Sequence, residues 1–144
     1  MIRFKYTFSA RVKEFLKEPG GILRRYMTAL ANELYAEWSK EAGSTRYWRG
    51  GKHAMRHPAP LPSKLTERSG RLRMAALGKG PYSLKNIKVT ASSFTVSKGG
   101  TLPYFYYQEY LKGGVRSFIR RALEYIRKNR MDYIVRKAKK RLWR

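Results

Sequence analysis

The chain predicts a single α+β domain, with a long helix in its N-terminal half and a long C-terminal helix packed on a small, mainly antiparallel sheet. Three observations predict it. Apolar and polar residues alternate at the start of the chain and again between residues 86 and 98, the mark of strands with one buried face. From Ile22 the apolar spacing changes to steps of three and four, and after Gly113-Gly114 that spacing returns; it is the mark of amphipathic helices. At 144 residues the chain can bury one core and is short for two.

Each element has its own reason. Ile2, Phe4, Tyr6 and Phe8 alternate with Arg3, Lys5 and Thr7, which predicts the first strand. Val12, Phe15 and Leu16 suit a short amphipathic turn, ended by Pro19-Gly20-Gly21. Leu23, Tyr26, Met27, Leu30, Leu34 and Trp38 then form the apolar stripe of a helix of about five to six turns. Arg24, Arg25, Glu33, Glu37 and Lys40 fall largely on its other faces, and Gly43 closes it. Residues 44–66 read as a long loop, because Gly50, Gly51, Pro58, Pro60 and Pro62 prevent a continuous helix or central strand.

Ser69 is expected to cap a short helix running through Leu77, with Leu72, Ala75 and Ala76 turned inward and Gly78, Gly80 and Pro81 ending it. Ile87 and Val89, then Phe94 and Val96, predict a hairpin joined by Ala91-Ser92-Ser93. Lys98-Gly99-Gly100 reads as the next turn and Tyr104 to Tyr110 as a third strand. Ser117 is a second expected cap, opening a helix with Phe118, Ile119, Ala122, Leu123 and Ile126 on one face. Met131, Ile134, Val135, Ala138 and Leu142 form another stripe out of phase with the first, so a kink or break is expected near Asn129.

The formal net charge is +24 at pH 7. So much like charge in one small domain repels itself unless an anionic partner or counter-ions relieve it. Nucleic acid is the commonest such partner, since phosphate contacts release condensed counter-ions. The expected nucleic-acid-facing residues are Arg46, Arg49, Lys52 and Arg56 of the 44–66 loop and Arg136, Lys137, Lys139, Lys140 and Arg141 of the basic C-terminal run. Tyr47, Trp48 and the Tyr104–Tyr107 aromatics are candidate stacking residues for a stand-alone DNA- or RNA-binding protein.

Chemistry finds little to work with. There is no cysteine, so no disulfide and no thiolate metal site. His53 and His57 are four apart, but no third ligand is near them and the surrounding glycines and prolines oppose a helix. Acidic residues number 9, and Asp132 is the only aspartate; no carboxylate cluster of the kind two-metal nucleases need can be read. Gly78-Lys79-Gly80 is too short for a phosphate-binding loop. The expectation is no catalytic residue, no metal and no cofactor. No apolar run suits a signal peptide or a membrane span, so no membrane partner is expected.

One ordered series of short patterns adds to this. Ser69-Gly70-Arg71-Leu72 precedes the two predicted hairpin strands. The aromatic run ending in Glu109 follows, and then Phe118…Ala122-Leu123 opens the last helical region. From about Gly21 onward this order resembles the tail-completion, or head–tail joining, proteins of long-tailed bacteriophages. Those proteins typically show Thr/Ser-Gly-x-Leu, a small antiparallel sheet, Tyr-Ala-x-x-x-Glu-Phe-Gly and Pro-Phe-x-x-Pro-Ala-Leu. Here the glycine after the glutamate is missing, and Ser117 and Arg121 replace the two prolines. The resemblance implies a structural virion protein of the head–tail junction, assembled in the host cytoplasm, that completes the tail and joins it to the filled head. It implies a ring, most simply a hexamer, touching connector and tail proteins with genomic DNA in its channel. Ser69, Gly70, Leu72, Glu109, Phe118, Ala122 and Leu123 would then be structural motif residues, with Glu109 expected to pair with a cation rather than to catalyse.

Overall fold

The computed structural model describes residues 1–7, 22–49, 65–66, 70–90, 93–110 and 117–142. The expected turn at residues 12–16, the interior of the 44–66 loop with Lys52, His53, Arg56 and His57, and the Ser69 cap lie outside them.

The alternating segments form the central sheet. β1 (Ile2–Thr7), β4 (Ser83–Val89) and β5 (Ser93–Gly100) pair antiparallel in the order β1-β5-β4. Register decides the two faces. Ile2, Phe4 and Tyr6 stand opposite Lys98, Val96 and Phe94, which in turn stand opposite Lys85, Ile87 and Val89. These side chains share the inner face, because side chains in a strand alternate with period two. Phe94 anchors that face, with its ring 6.0 Å from Phe4 and 5.4 Å from Tyr6.

The helix α1 (Ile22–Ala42) lies across the sheet. Its apolar stripe supplies the centre of the core: Met27, Leu30, Leu34 and Trp38 are all essentially buried. Two short strands, β2 (Trp48–Arg49) and β3 (Leu65–Thr66), pair parallel, tying together the two ends of the long 44–66 segment. The helix α2 (Arg71–Ala76) buries Ala75 and Ala76, as their spacing predicts. At its start stands Gly70 in the left-handed region (φ 78°), with no side-chain cap; a residue without a Cβ adopts that conformation at no steric cost.

Two sequence expectations fail next to one another, and for a single reason. Lys98-Gly99-Gly100 is not a turn but the buried end of β5, and Tyr104 to Tyr110 is not a third strand but largely helix, α3 (Phe105–Tyr110). A Cβ on Gly100 would collide with the Phe105 ring, and one on Gly99 with the Tyr106 hydroxyl. Consecutive strand residues face opposite sides of the sheet, so Phe105 packs over Gly100 on the inner face while the Tyr106 hydroxyl lies over Gly99 on the outer face. Aromatic residues favour strands only weakly and in context. Here the contact with the sheet goes through one turn of helix.

The C-terminal region comprises α4 (Ile119–Asn129) and α5 (Met131–Leu142), with Arg130 between them at φ −123°. Both make their main contacts with α1. Phe118, Ile119, Ala122 and Ile126, then Ile134 and Ala138, are buried. Trp38 Nε1 donates to the Ile119 carbonyl at 2.9 Å, fixing the start of α4 against the middle of the core. Among the described residues no helix is long and apolar enough to cross a membrane.

Candidate functional site

In so basic a chain, the placement of the few carboxylates determines which cations remain available. Every glutamate among the described residues lies within ion-pair distance of a cation. Three of them, Glu33, Glu37 and Glu41, stand at four-residue steps on α1 and so form one stripe. Glu33 is 1 % exposed and meets Arg141 at 2.6 Å and Lys137 at 3.5 Å on α5. Glu37 meets Arg130 at 3.3 Å, between α4 and α5. Glu41 meets Arg46 at 3.2 Å and accepts from the Tyr47 hydroxyl at 3.3 Å. Burial and the neighbouring Glu41 carboxylate push the Tyr47 phenol up to about 12.

The sequence places Glu33 and Glu37 correctly on faces other than the apolar stripe, but that face is not solvated. The C-terminal helices cover it, and the two carboxylates are buried under their cations. We expect Glu33→Gln to weaken the seat of α5 by about 1–2 kcal/mol, a modest figure because Lys137 and Arg141 remain partly in water. The check is hydrogen exchange resolved along the chain, with protection lost first in α5. Uniform loss across the sheet as well would contradict it.

Glu109 is the second structural carboxylate. It is fully buried at the end of α3, facing the first turn of α4. Its Oε2 accepts from the amides of Phe118 (2.9 Å) and Ile119 (3.0 Å), and its Oε1 accepts from the Arg120 amide (2.7 Å) and Arg120 Nε (3.3 Å). Arg120 Nη2 donates back to the Glu109 carbonyl at 2.9 Å. Pairing with a cation is as the sequence predicts; the capping is not. The N-cap position of α4 falls on Phe118, not on Ser117, and has no side-chain cap of its own. The carboxylate of another helix does its work, satisfying free N–H groups and facing the positive end of the helix dipole.

The expected nucleic-acid-facing residues separate into three groups. Arg46 is engaged: besides Glu41 it donates to the Tyr125 hydroxyl at 2.8 Å and stacks on that ring at 4.2 Å. Arg49 lies in β2, and Lys52 and Arg56 fall outside the described residues. On α5, Lys137 and Arg141 hold Glu33, whereas Arg136, Lys139 and Lys140 are exposed. Tyr133, Arg136, Lys137, Lys140 and Arg141 line an open groove of about 450 Å³ along that helix. The guanidinium of Arg130 sits 4.2 Å from the Tyr133 ring centre.

Among the described side chains the stacking candidates form no platform. Tyr47 and Trp48 are 6 % and 2 % exposed, with Trp48 Nε1 donating to the Ala42 carbonyl at 2.7 Å. Phe105 is buried against Gly100, while Tyr104 is exposed. With Tyr47 and Trp48 turned into the core and Phe105 against the sheet, these side chains share no exposed face on which bases could stack.

The outer face of the central sheet is a basic surface that reasoning from the sequence missed. Arg3, Lys5 and Lys88 stand there, exposed, and none has an ion-pair partner among the described residues. The polar positions in the alternation of β1 and β4 were its only signal. No group of three or more His, Cys, Asp or Glu that could hold a metal ion occurs among the described residues. Comparison with protein families, with curated proteins and with solved structures finds no match to this chain.

Proposed function

We propose that this chain is a structural protein of the bacteriophage head–tail junction, which completes the tail and joins it to the DNA-filled head as a ring. The observation that carries the reading is the Glu109 clamp. It links the glutamate of the aromatic segment to the first turn of the Phe118…Ala122-Leu123 helix, giving two elements of the ordered series one shared physical purpose. The α+β fold suits it, with Gly70 and Leu72 at the short helix before the sheet. In this reading six copies close a ring between connector and tail proteins within the virion, after assembly in the host cytoplasm. The ring carries no catalysis and no cofactor. Its repulsion is relieved by genomic DNA in the channel or by acidic neighbouring rings. A null mutant is expected to accumulate DNA-filled heads and separate tails, seen by electron microscopy of lysates. Normal infectious particles from that mutant would refute the proposal.

The unpaired cations favour a second reading, a stand-alone nucleic-acid-binding protein. It predicts tight binding to one sequence that persists at high salt. The junction reading predicts only weak, sequence-indifferent binding that falls steeply with salt.

A further inference from the structure

We propose that the outer face of the β1-β5-β4 sheet is a docking surface for the phosphate backbone of duplex nucleic acid. Register builds it. Arg3 on β1, Ser97 on β5 and Asn86 on β4 form one row across the sheet, and Lys5, Thr95 and Lys88 form the next. These six residues line an open depression of about 190 Å³. The helices α1 and α2 lie on the opposite face, whose side chains are Phe4, Val96, Ile87 and their neighbours.

Three features select the occupant. The first is charge. Neighbouring strands lie about 4.8 Å apart and alternate residues along a strand about 6.8 Å apart, so the three cations sit within about one to one and a half Debye lengths of one another. No carboxylate of the described residues neutralises them, and an anion bridging them removes that repulsion. The second is chemistry. The half-buried Thr95 stands between Lys5 and Lys88, and the exposed Asn86 amide lies one row from them beside the nearly buried Ser97; hydroxyl, amide and cations donate to phosphate oxygens and position a backbone without reading bases. The third is what the depression lacks: none of its six side chains is aromatic, and the neighbouring Tyr106 has its hydroxyl against Gly99, so the depression offers no stacking platform of the kind single strands use. A duplex backbone fits all three.

This inference does not rest on the head–tail reading. It concerns which surface meets phosphate, and it would stand if the null mutant assembled normally.

The test is the salt dependence of binding to a mixed-sequence DNA duplex. Removing one cation that meets a phosphate should make the slope of log K against log salt shallower by about 0.9. Arg3→Gln, Lys5→Gln and Lys88→Gln together are expected to make it shallower by about 2.7. A charge-matched control, Lys40→Gln, Lys79→Gln and Lys128→Gln, takes three exposed cations from elsewhere and should leave the slope near the wild-type value. An unchanged slope in the sheet variant overturns the proposal. So does an equal change in both variants, which would mean that net charge alone governs binding. A change confined to an Arg136→Gln, Lys139→Gln, Lys140→Gln variant also overturns it, assigning the phosphate surface to α5 instead. Should the triple sheet variant fail to fold, Lys88→Gln alone reads the same effect at about 0.9.

Discussion

Replacing Glu109 by alanine is expected to cost about 3–5 kcal/mol. The carboxylate accepts from three backbone amides and from Arg120 while fully buried. Its removal leaves those donors at a buried helix start without an acceptor, and a buried donor left unpaired costs about 1–3 kcal/mol. Broken buried networks are among the few causes of losses this large. Glu109→Gln keeps one carbonyl acceptor but turns an amide group toward N–H donors, so a smaller loss of about 2–3 kcal/mol is expected. Thermal unfolding should show the alanine variant melting about 10 °C or more below wild type for a domain of this size. A shift of only a degree or two would mean that water replaces the carboxylate and that the clamp is not structural.

The second large effect concerns Lys98, and its sign is the opposite. Lys98 is fully buried at the inner face of β5, where its ammonium donates to Ser39 Oγ at 2.7 Å and lies 4.7 Å from the Tyr35 ring. Burial, and then the cross-strand Lys85 ammonium, lower its pKa from 10.5 to about 7. The groups facing it are Lys85 from β4 and Tyr35 and Ser39 from α1, and burial also raises the Tyr35 phenol.

A lysine that binds its proton more weakly folded than unfolded destabilises the fold wherever the unfolded chain is protonated. The penalty is full below about pH 7. It is progressively relieved as pH rises from there toward the unfolded value near 10.5, because only the unfolded chain still holds the proton. The difference corresponds to roughly 5 kcal/mol at most. Lys98→Met keeps the length of the side chain and removes the charge. We expect it to be more stable than wild type by about 2–4 kcal/mol at pH 6, with the gap closing by pH 10. Urea unfolding of both proteins at the two pH values measures this, and other titrating groups largely cancel in the comparison. A gap that does not change with pH would show that the ammonium is not desolvated in solution.

These two residues mark the limit of what the chain discloses on its own. Glu109 is legible as a carboxylate that must find a cation in a basic chain. That it also caps α4 in place of Ser117 is not, because the capping side chain comes from a separate helix and no local spacing records it. Lys98 next to Gly99-Gly100 looks like an exposed turn. It is buried because α1 covers the inner face of β5, where Ser39 and Tyr35 meet its ammonium, a contact between segments. The stripe of Glu33, Glu37 and Glu41 is legible as a helical face. Its partners Arg141, Lys137, Arg130 and Arg46 lie elsewhere in the sequence, and only packing brings most of them to it.

By itself the sequence determined the α+β class, the hairpin of β4 and β5, the strand β1 and the apolar faces of α1, α4 and α5. Each is a periodic pattern, and periodicity is imposed by neighbours along one element. Tertiary structure alone decided that residues 105–110 are helical, that Tyr47 and Trp48 are buried, which cations the glutamates neutralise and which remain on the open sheet. Those outcomes depend on what faces each side chain across the core, and two sequence-distant surfaces select one another only once both are folded.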